Sequence, residues 1–280
     1  MKVIERCCRG KHADQTLNED GLFVGDAFAG NTFVAVVDGV TGKSVRRPWR
    51  PSGGVVAKDL MLDVLAALPA DAGMREVQRS VDERFREAYR THPLGSSFFE
   101  REPLERLQAN AVVYSAARGE AWLFGDCQIM VNGMQVPTMK RVDMLLGELR
   151  AFATLALREQ HGADRPAPRS PDPAREMIMP FLRLQSRFAN KRGPYGYFVF
   201  DGYTDPTYPI RTVHVGPGDE VVLASDGYPI LRPTLAESEH ELARLKREDP
   251  ALIGPEYQST KGFTRGLDSF DDRTYLRFVA

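Results

Sequence analysis

Residues 31–39 read NTFVAVVDG. Phe33 to Val37 are consecutively apolar, rich in valine and flanked by polar turn formers, the pattern of a strand buried on both faces. Such a strand delivers Asp38 to its end. Gly39 lets the backbone turn sharply and lets its own carbonyl approach a ligand. A buried carboxylate without a partner is costly, so the placement asks for a cation. The arrangement recurs along the chain: Glu19-Asp20 opens NEDGLFV, Asp126 ends EAWLFGDC, Asp226-Gly227 ends DEVVLASDG, and Asp271-Asp272 opens DDRTYLRF. Carboxylate oxygens in this number suit a hard ion such as Mg²⁺ or Mn²⁺.

Working outward, residues 18–26 and 31–39 read as two strands joined by a turn-like segment at 26–31. Pro48, Pro51 and Gly53-Gly54 make a loop. Apolar spacing then predicts helices over 55–68 and 74–90. Strands follow across 109–126, with Arg118-Gly119 at the turn, and another helix spans 142–160. A Pro-rich loop at 163–173 breaks that helix. Residues 177–193 are amphipathic and basic. Strand-like runs occupy 196–202, 211–219 and 220–227. The capping box Thr234…Glu237 opens a helix that runs to about residue 247, and the chain closes on a strand from Arg273. This order is not a regular βαβ alternation. It predicts an α+β sandwich of antiparallel sheets with helices layered outside, in one domain over 1–280. A helical insertion is expected at about 136–193, where residues 140–192 hold eleven Lys/Arg against six Asp/Glu.

Bulk properties narrow the function. The 280 residues are 42% hydrophobic and 27% charged, with a formal net charge of −1. No whole-chain field favours nucleic acid or an anionic membrane. The N-terminus lacks an apolar signal core, and no run approaches the ~20 residues of a membrane span. Cys7, Cys8 and Cys127 are a poor disulfide framework, which points to a reducing, cytoplasmic setting. The histidines at 12, 92, 161, 214 and 240 are scattered, without a zinc pattern. Gly39 to Ser44, GVTGKS, ends like a phosphate-binding loop. Position 37 is Val where that loop needs Gly, however, and Pro48 and Pro51 oppose the helix that should follow. Arg183, Arg187, Lys191 and Arg192 read as a solvated basic face beside apolar Phe181, Leu182, Leu184 and Phe188.

Taken in order, Asn18-Glu19-Asp20, Val37-Asp38-Gly39 with Gly42, Gly125-Asp126-Cys127, Ala224-Ser225-Asp226-Gly227 and Asp271-Asp272-Arg273-Thr274 resemble the signatures of the metal-dependent protein phosphatase family, the PPM or protein phosphatase 2C type. The chain looks like a divergent, bacterial-like member. The resemblance implies a four-layer α-β-β-α sandwich with two central antiparallel sheets. It implies two Mn²⁺ or Mg²⁺ ions, possibly a third, and hydrolysis of phosphoserine or phosphothreonine in a phosphorylated protein substrate by a metal-activated water. Carried over residue by residue, Asp38 bridges the ions and Gly39 gives a carbonyl. Asp226 and Asp271 hold one ion, Glu19 or Asp20 assists at the other, and Asp126 matches the ligand of a third.

This sequence departs from the family's pattern in four places. No Arg stands just ahead of Asn18, leaving Arg9, Lys11 or His12 to meet the substrate phosphate. The usual DGxGG is DGVTGK, which brings Lys43 to the edge of the site. Cys127 replaces a serine, and the 136–193 segment takes the place of the substrate-gating flap. A small-molecule phosphomonoesterase and a non-catalytic binding module on the same fold are therefore the alternatives. A monomer is expected, with no nucleic-acid or membrane partner.

Overall fold

The computed structural model describes residues 1–26, 30–161 and 172–280. In chain order the strands are β1 (Lys2–Arg9), β2 (Asp20–Val24), β3 (Phe33–Gly39), β4 (Ala109–Ser115), β5 (Glu120–Phe124), β6 (Gln128–Val131), β7 (Met134–Val136), β8 (Arg211–His214), β9 (Glu220–Ala224) and β10 (Arg273–Val279). The helices are α1 (Gly53–Ala67), α2 (Met74–Thr91), α3 (Ser96–Arg101), α4 (Arg141–His161), α5 (Pro173–Leu184) and α6 (Leu235–Glu248). The first sheet has the order β2-β3-β4-β5-β8 and the second β1-β10-β9-β6-β7. Every pairing between these strands is antiparallel.

The period-two alternation of a strand builds the layers. On β3, Val34 and Val36 face the space between the sheets, where they meet Val112, Leu123, Val221, Leu223, Leu276 and Phe278. Phe33, Ala35 and Val37 face the other way, onto Ala57, Met61 and Leu65 of α1 and Val77, Val81 and Phe85 of α2. Those helical residues recur every fourth position, one buried stripe per helix. On the second sheet, Val222, Ala224 and Tyr275 turn outward to a third cluster with Tyr228, Leu231 and Leu235, beneath the start of α6. The result is the expected four-layer sandwich. Thr234 caps α6 through the reciprocal bonds with Glu237.

Helices α4 and α5 form a separate apolar cluster of Val142, Leu146, Ile178 and Leu182, closed by Tyr197, Val199 and Val40. Val40 directly follows Asp38-Gly39, so the insertion leans on the loop that leaves β3. Arg150 of α4 is fully buried. Its guanidinium bonds Asp172 at 2.8 and 2.6 Å and the carbonyls of Ala251 and Ser259 at 2.8 and 3.0 Å.

One expectation needs correction. Residues 196–202 are not a strand: they join the fold through isolated bridges, Ala109 to Phe200 and Ala189 to Tyr197. Phe198 and Phe200 belong to the α1/α2 core while Tyr197 and Val199 belong to the insertion. The segment is a wedge between two cores, and its apolar alternation reflects that. The N-terminal residues, left without an element, form β1. The stretch between α2 and β4, also left blank, holds α3 and a 3-10 turn at Pro103–Glu105. Much of the 26–31 turn and the 163–173 loop lies outside the described residues.

Candidate active site

The strand ends converge on one edge of the sandwich. Asp20 pairs with Asp38 across β2 and β3, and Asp38 with Asn110 across β3 and β4. In the second sheet, Arg9 opposes Arg273 and Tyr275 opposes Ala224. Asp226 and Asp271 therefore leave β9 and enter β10 side by side. The Ser225 amide donates to the Thr274 carbonyl at 3.0 Å, and the Thr274 amide to the Ser225 hydroxyl at 2.9 Å. Gly39 and Gly227 are needed because these loops touch backbone to backbone. A Cβ on Gly39 would collide with the Gly54 carbonyl, and one on Gly227 with that of Asp272.

The edge opens into a cavity of about 670 Å³ lined by Glu19, Asp38, Gly39, Asp126, Asp226 and Asp271, among others. Asp38 and Asp226 are half-buried. Burial, then Asp20 beside Asp38 and Asp38 beside Asp226, pushes both carboxyls well above the usual carboxylate range. Among the described residues neither receives a side-chain hydrogen bond or an ion pair. Asp20 is also pushed up, first by burial and then by Asp271, Asp272 and Asp226. One oxygen each of Asp20, Asp126 and Asn110 is buried without a partner.

The remaining carboxylates are neutralised from within. Lys11 Nζ lies 3.0 Å from Asp271, 3.2 Å from Asp272 and 3.9 Å from Glu19. Lys261 forms an ion pair with the other Asp271 oxygen. Burial acts against ionisation of Asp271, yet Lys261 and Lys11 hold its carboxyl far below the ordinary range. Asp272 accepts the backbone amides of Lys11 at 2.8 Å and Glu19 at 3.0 Å. Glu19 accepts the Ser52 hydroxyl at 2.6 Å and the Thr41 hydroxyl. Lys140 Nζ meets Asp126 at 2.8 Å.

A hard divalent cation fits part of this donor set. Asp38, Asp226, the Gly39 carbonyl and the orphaned oxygens of Asp20 and Asp126 are oxygen donors lacking sufficient positive charge. Glu19, Asp271 and Asp272 already have protein partners. Among the described residues no group of three or more His, Cys, Asp or Glu stands close enough together to hold a metal as the side chains lie.

Of the residues considered for the phosphate, Lys11 reaches the acidic cluster. Arg9 instead bonds Asp268, at 3.2 and 3.3 Å, on the surface, and His12 does not line the cavity. Reading the sequence alone did not single out Lys140, Lys261, Thr41, Ser52 or Arg175. Only Ser52 carries a local signal, as a helix N-cap preceding an apolar-periodic segment; its hydroxyl accepts the Val55 amide at 3.1 Å.

No protein-family model matches the chain, and no curated protein matches it. Among solved structures it is similar to the catalytic domain of the serine/threonine phosphatase PstP in complex with two manganese ions, at 17% identity, TM-score 0.47 and full coverage of both chains. PppA, a regulatory component of the type VI secretion system of Pseudomonas aeruginosa, is 14% identical, with TM-score 0.47 and full coverage of both. MsPP of Mycobacterium smegmatis, a PPM Ser-Thr phosphatase in complex with cacodylate, is 15% identical, with TM-score 0.44 and 99% and 98% covered.

Proposed function

We propose that this chain is a metal-dependent phosphatase of the PPM type, acting on phosphoserine or phosphothreonine in proteins. The observation that carries the reading is the confrontation of Asp38 and Asp226 in a cavity, both raised in pKa and both without a hydrogen bond or direct ion pair among the described residues. Two like charges held together in a low-dielectric site are stabilised by a shared cation. Asp38, Asp226, the Gly39 carbonyl and Asp20 or Asp126 are the groups that would hold it. Mn²⁺ or Mg²⁺ bound there supplies Lewis-acid activation of water and neutralises charge developing on phosphorus.

The chain's own residues set the stage for that chemistry. Ser52 and Thr41 fix the Glu19 carboxylate against the loop after β3. Lys140 orients Asp126, and Lys11 ties the β1 loop to Asp271-Asp272. No nucleophilic side chain is required, and the thiol that follows Asp126 in sequence is unsuited to the task. Cys127 is buried, and its pKa is pushed well up by burial and by Asp38 and Asp126.

The decisive assay compares Mn²⁺-dependent release of phosphate from phosphoserine and phosphothreonine peptides with release from sugar and nucleotide phosphates. Preference for the peptides is expected; preference for a small phosphomonoester would move the substrate assignment, and no turnover of either class would overturn the reading. A second reading, a non-catalytic module, draws on the saturation of Asp271 and Asp272 by Lys11 and Lys261. Calorimetric titration with Mn²⁺ separates the two, since a module would bind the ion weakly or not at all. We place the chain in the cytoplasm as a monomer, consistent with free cysteines and with the absence, among the described residues, of a helix long and apolar enough to cross a membrane.

A further inference from the structure

The acidic groups line only part of the cavity. Lys43, Lys140, Arg175 and Lys261 line it as well. Three of these cations are engaged: Lys140 with Asp126, Lys261 with Asp271, and the Arg175 guanidinium with the carbonyl of Thr260. Lys43 is different. It is half-buried, yet among the described residues its ammonium has no ion pair and no hydrogen bond. An ammonium withdrawn from water without a direct hydrogen bond or ion pair is costly, so its placement favours an anion that would bond it directly.

We propose that Lys43, with Arg175 of the insertion beside it, anchors the phosphoryl group of a phosphomonoester dianion. This inference rests on the phosphatase reading of the same cavity. Burial lowers the Lys43 pKa first; Asp143 pulls it back up, and Lys261, Arg175 and Lys140 lower it. Those cations act together on any anion that enters. The other basic residues considered for this task are committed elsewhere, Lys11 to Asp271 and Asp272 and Arg9 to Asp268.

The loop that carries Lys43 is also held in place. On one side, the Lys43 carbonyl accepts Arg183 Nε of α5 at 3.3 Å. On the other, the Ser44 hydroxyl is buried against both oxygens of Glu105 at 2.6 Å, and the Arg46 amide returns to that hydroxyl at 3.0 Å. A loop fixed before its ligand arrives loses less entropy on binding. Lys43 lines the same cavity as Asp38 and Asp226.

The test is binding of inorganic phosphate to the full chain by calorimetry, with and without Mn²⁺, beside the KM for p-nitrophenyl phosphate. Lys43→Ala should weaken phosphate binding and raise KM by about tenfold or more, since a charge-assisted bond is lost. Lys43→Arg should stay within about threefold of the parent, and Lys191→Ala, on the exposed face, should change nothing. Thermal unfolding checks that each variant is folded. Phosphate binding that is unchanged in a folded Lys43→Ala protein, or absent from the parent, overturns the inference. Lys43-dependent phosphate binding without turnover keeps the inference and discards the phosphatase reading; turnover with a KM indifferent to Lys43 does the reverse.

Discussion

Asp38 and Asp226 strain the metal-free protein, because burial and neighbouring aspartates, Asp20 at Asp38 and Asp38 at Asp226, push both carboxyls up in a half-buried site. Asp226→Asn should therefore stabilise the metal-free chain, by about 1 kcal/mol, while abolishing turnover and the Mn²⁺-induced rise in melting temperature. Differential scanning calorimetry with and without the ion reads both effects, and a less stable metal-free variant would contradict the account. Asp82 offers an independent check far from the cavity. Burial pushes its carboxyl up to about 6, although it accepts the Thr204 hydroxyl, which in turn accepts Gln78 Nε2 at 2.8 Å. A raised carboxyl pKa means that the folded state binds more protons than the unfolded one. The stability associated with it is full below about pH 4 and is lost as pH rises through 6. Asp82→Asn should flatten that decline, a difference of up to about 3 kcal/mol in urea unfolding between pH 4 and 7.

At the scale of elements, the insertion is secured by Arg150, which ties α4 to Asp172 at the N-cap of α5 and to the 251–259 segment. Arg150→Ala leaves Asp172 and two carbonyls without their donor and should cost about 3 kcal/mol or more in urea unfolding. Loss of the α6 cap in Thr234→Ala should cost only about 1 kcal/mol. Elements with an unambiguous period were legible in the sequence: β3 from its apolar run, α2 from Val77, Val81, Phe85 and Tyr89, and α6 from its capping box. Strand β1 was not. Its residues alternate between exposed and half-buried, and its inward Glu5 is held by Arg277 at 3.2 Å, so no hydrophobic signal marks it. Residues 196–202 misled for the opposite reason, being strongly apolar because two different cores need them.

Across the whole molecule, two sheets packed face to face bring to one edge carboxylates that are more than 250 residues apart in sequence, as Glu19 and Asp272 are. Their placement at strand ends was visible in the sequence, since each follows or precedes a short apolar run. Their counter-ions were not, because Lys11, Lys140 and Lys261 lie in loops or at a helix start, where only the folded chain reveals the partner. Lys43 was legible at the edge of the site, but the lack of a hydrogen bond or ion pair to its ammonium among its described neighbours was not. The central claim is that this edge is a metal-dependent phosphatase site. It is tested most directly by hydrolysis of p-nitrophenyl phosphate with EDTA, Mg²⁺ or Mn²⁺, for the parent chain and for Asp38→Ala. The account predicts turnover with Mg²⁺ or Mn²⁺, none with EDTA, and a loss of at least about a thousandfold in a folded Asp38→Ala variant. Metal-independent turnover, or undiminished activity in that variant, would contradict it.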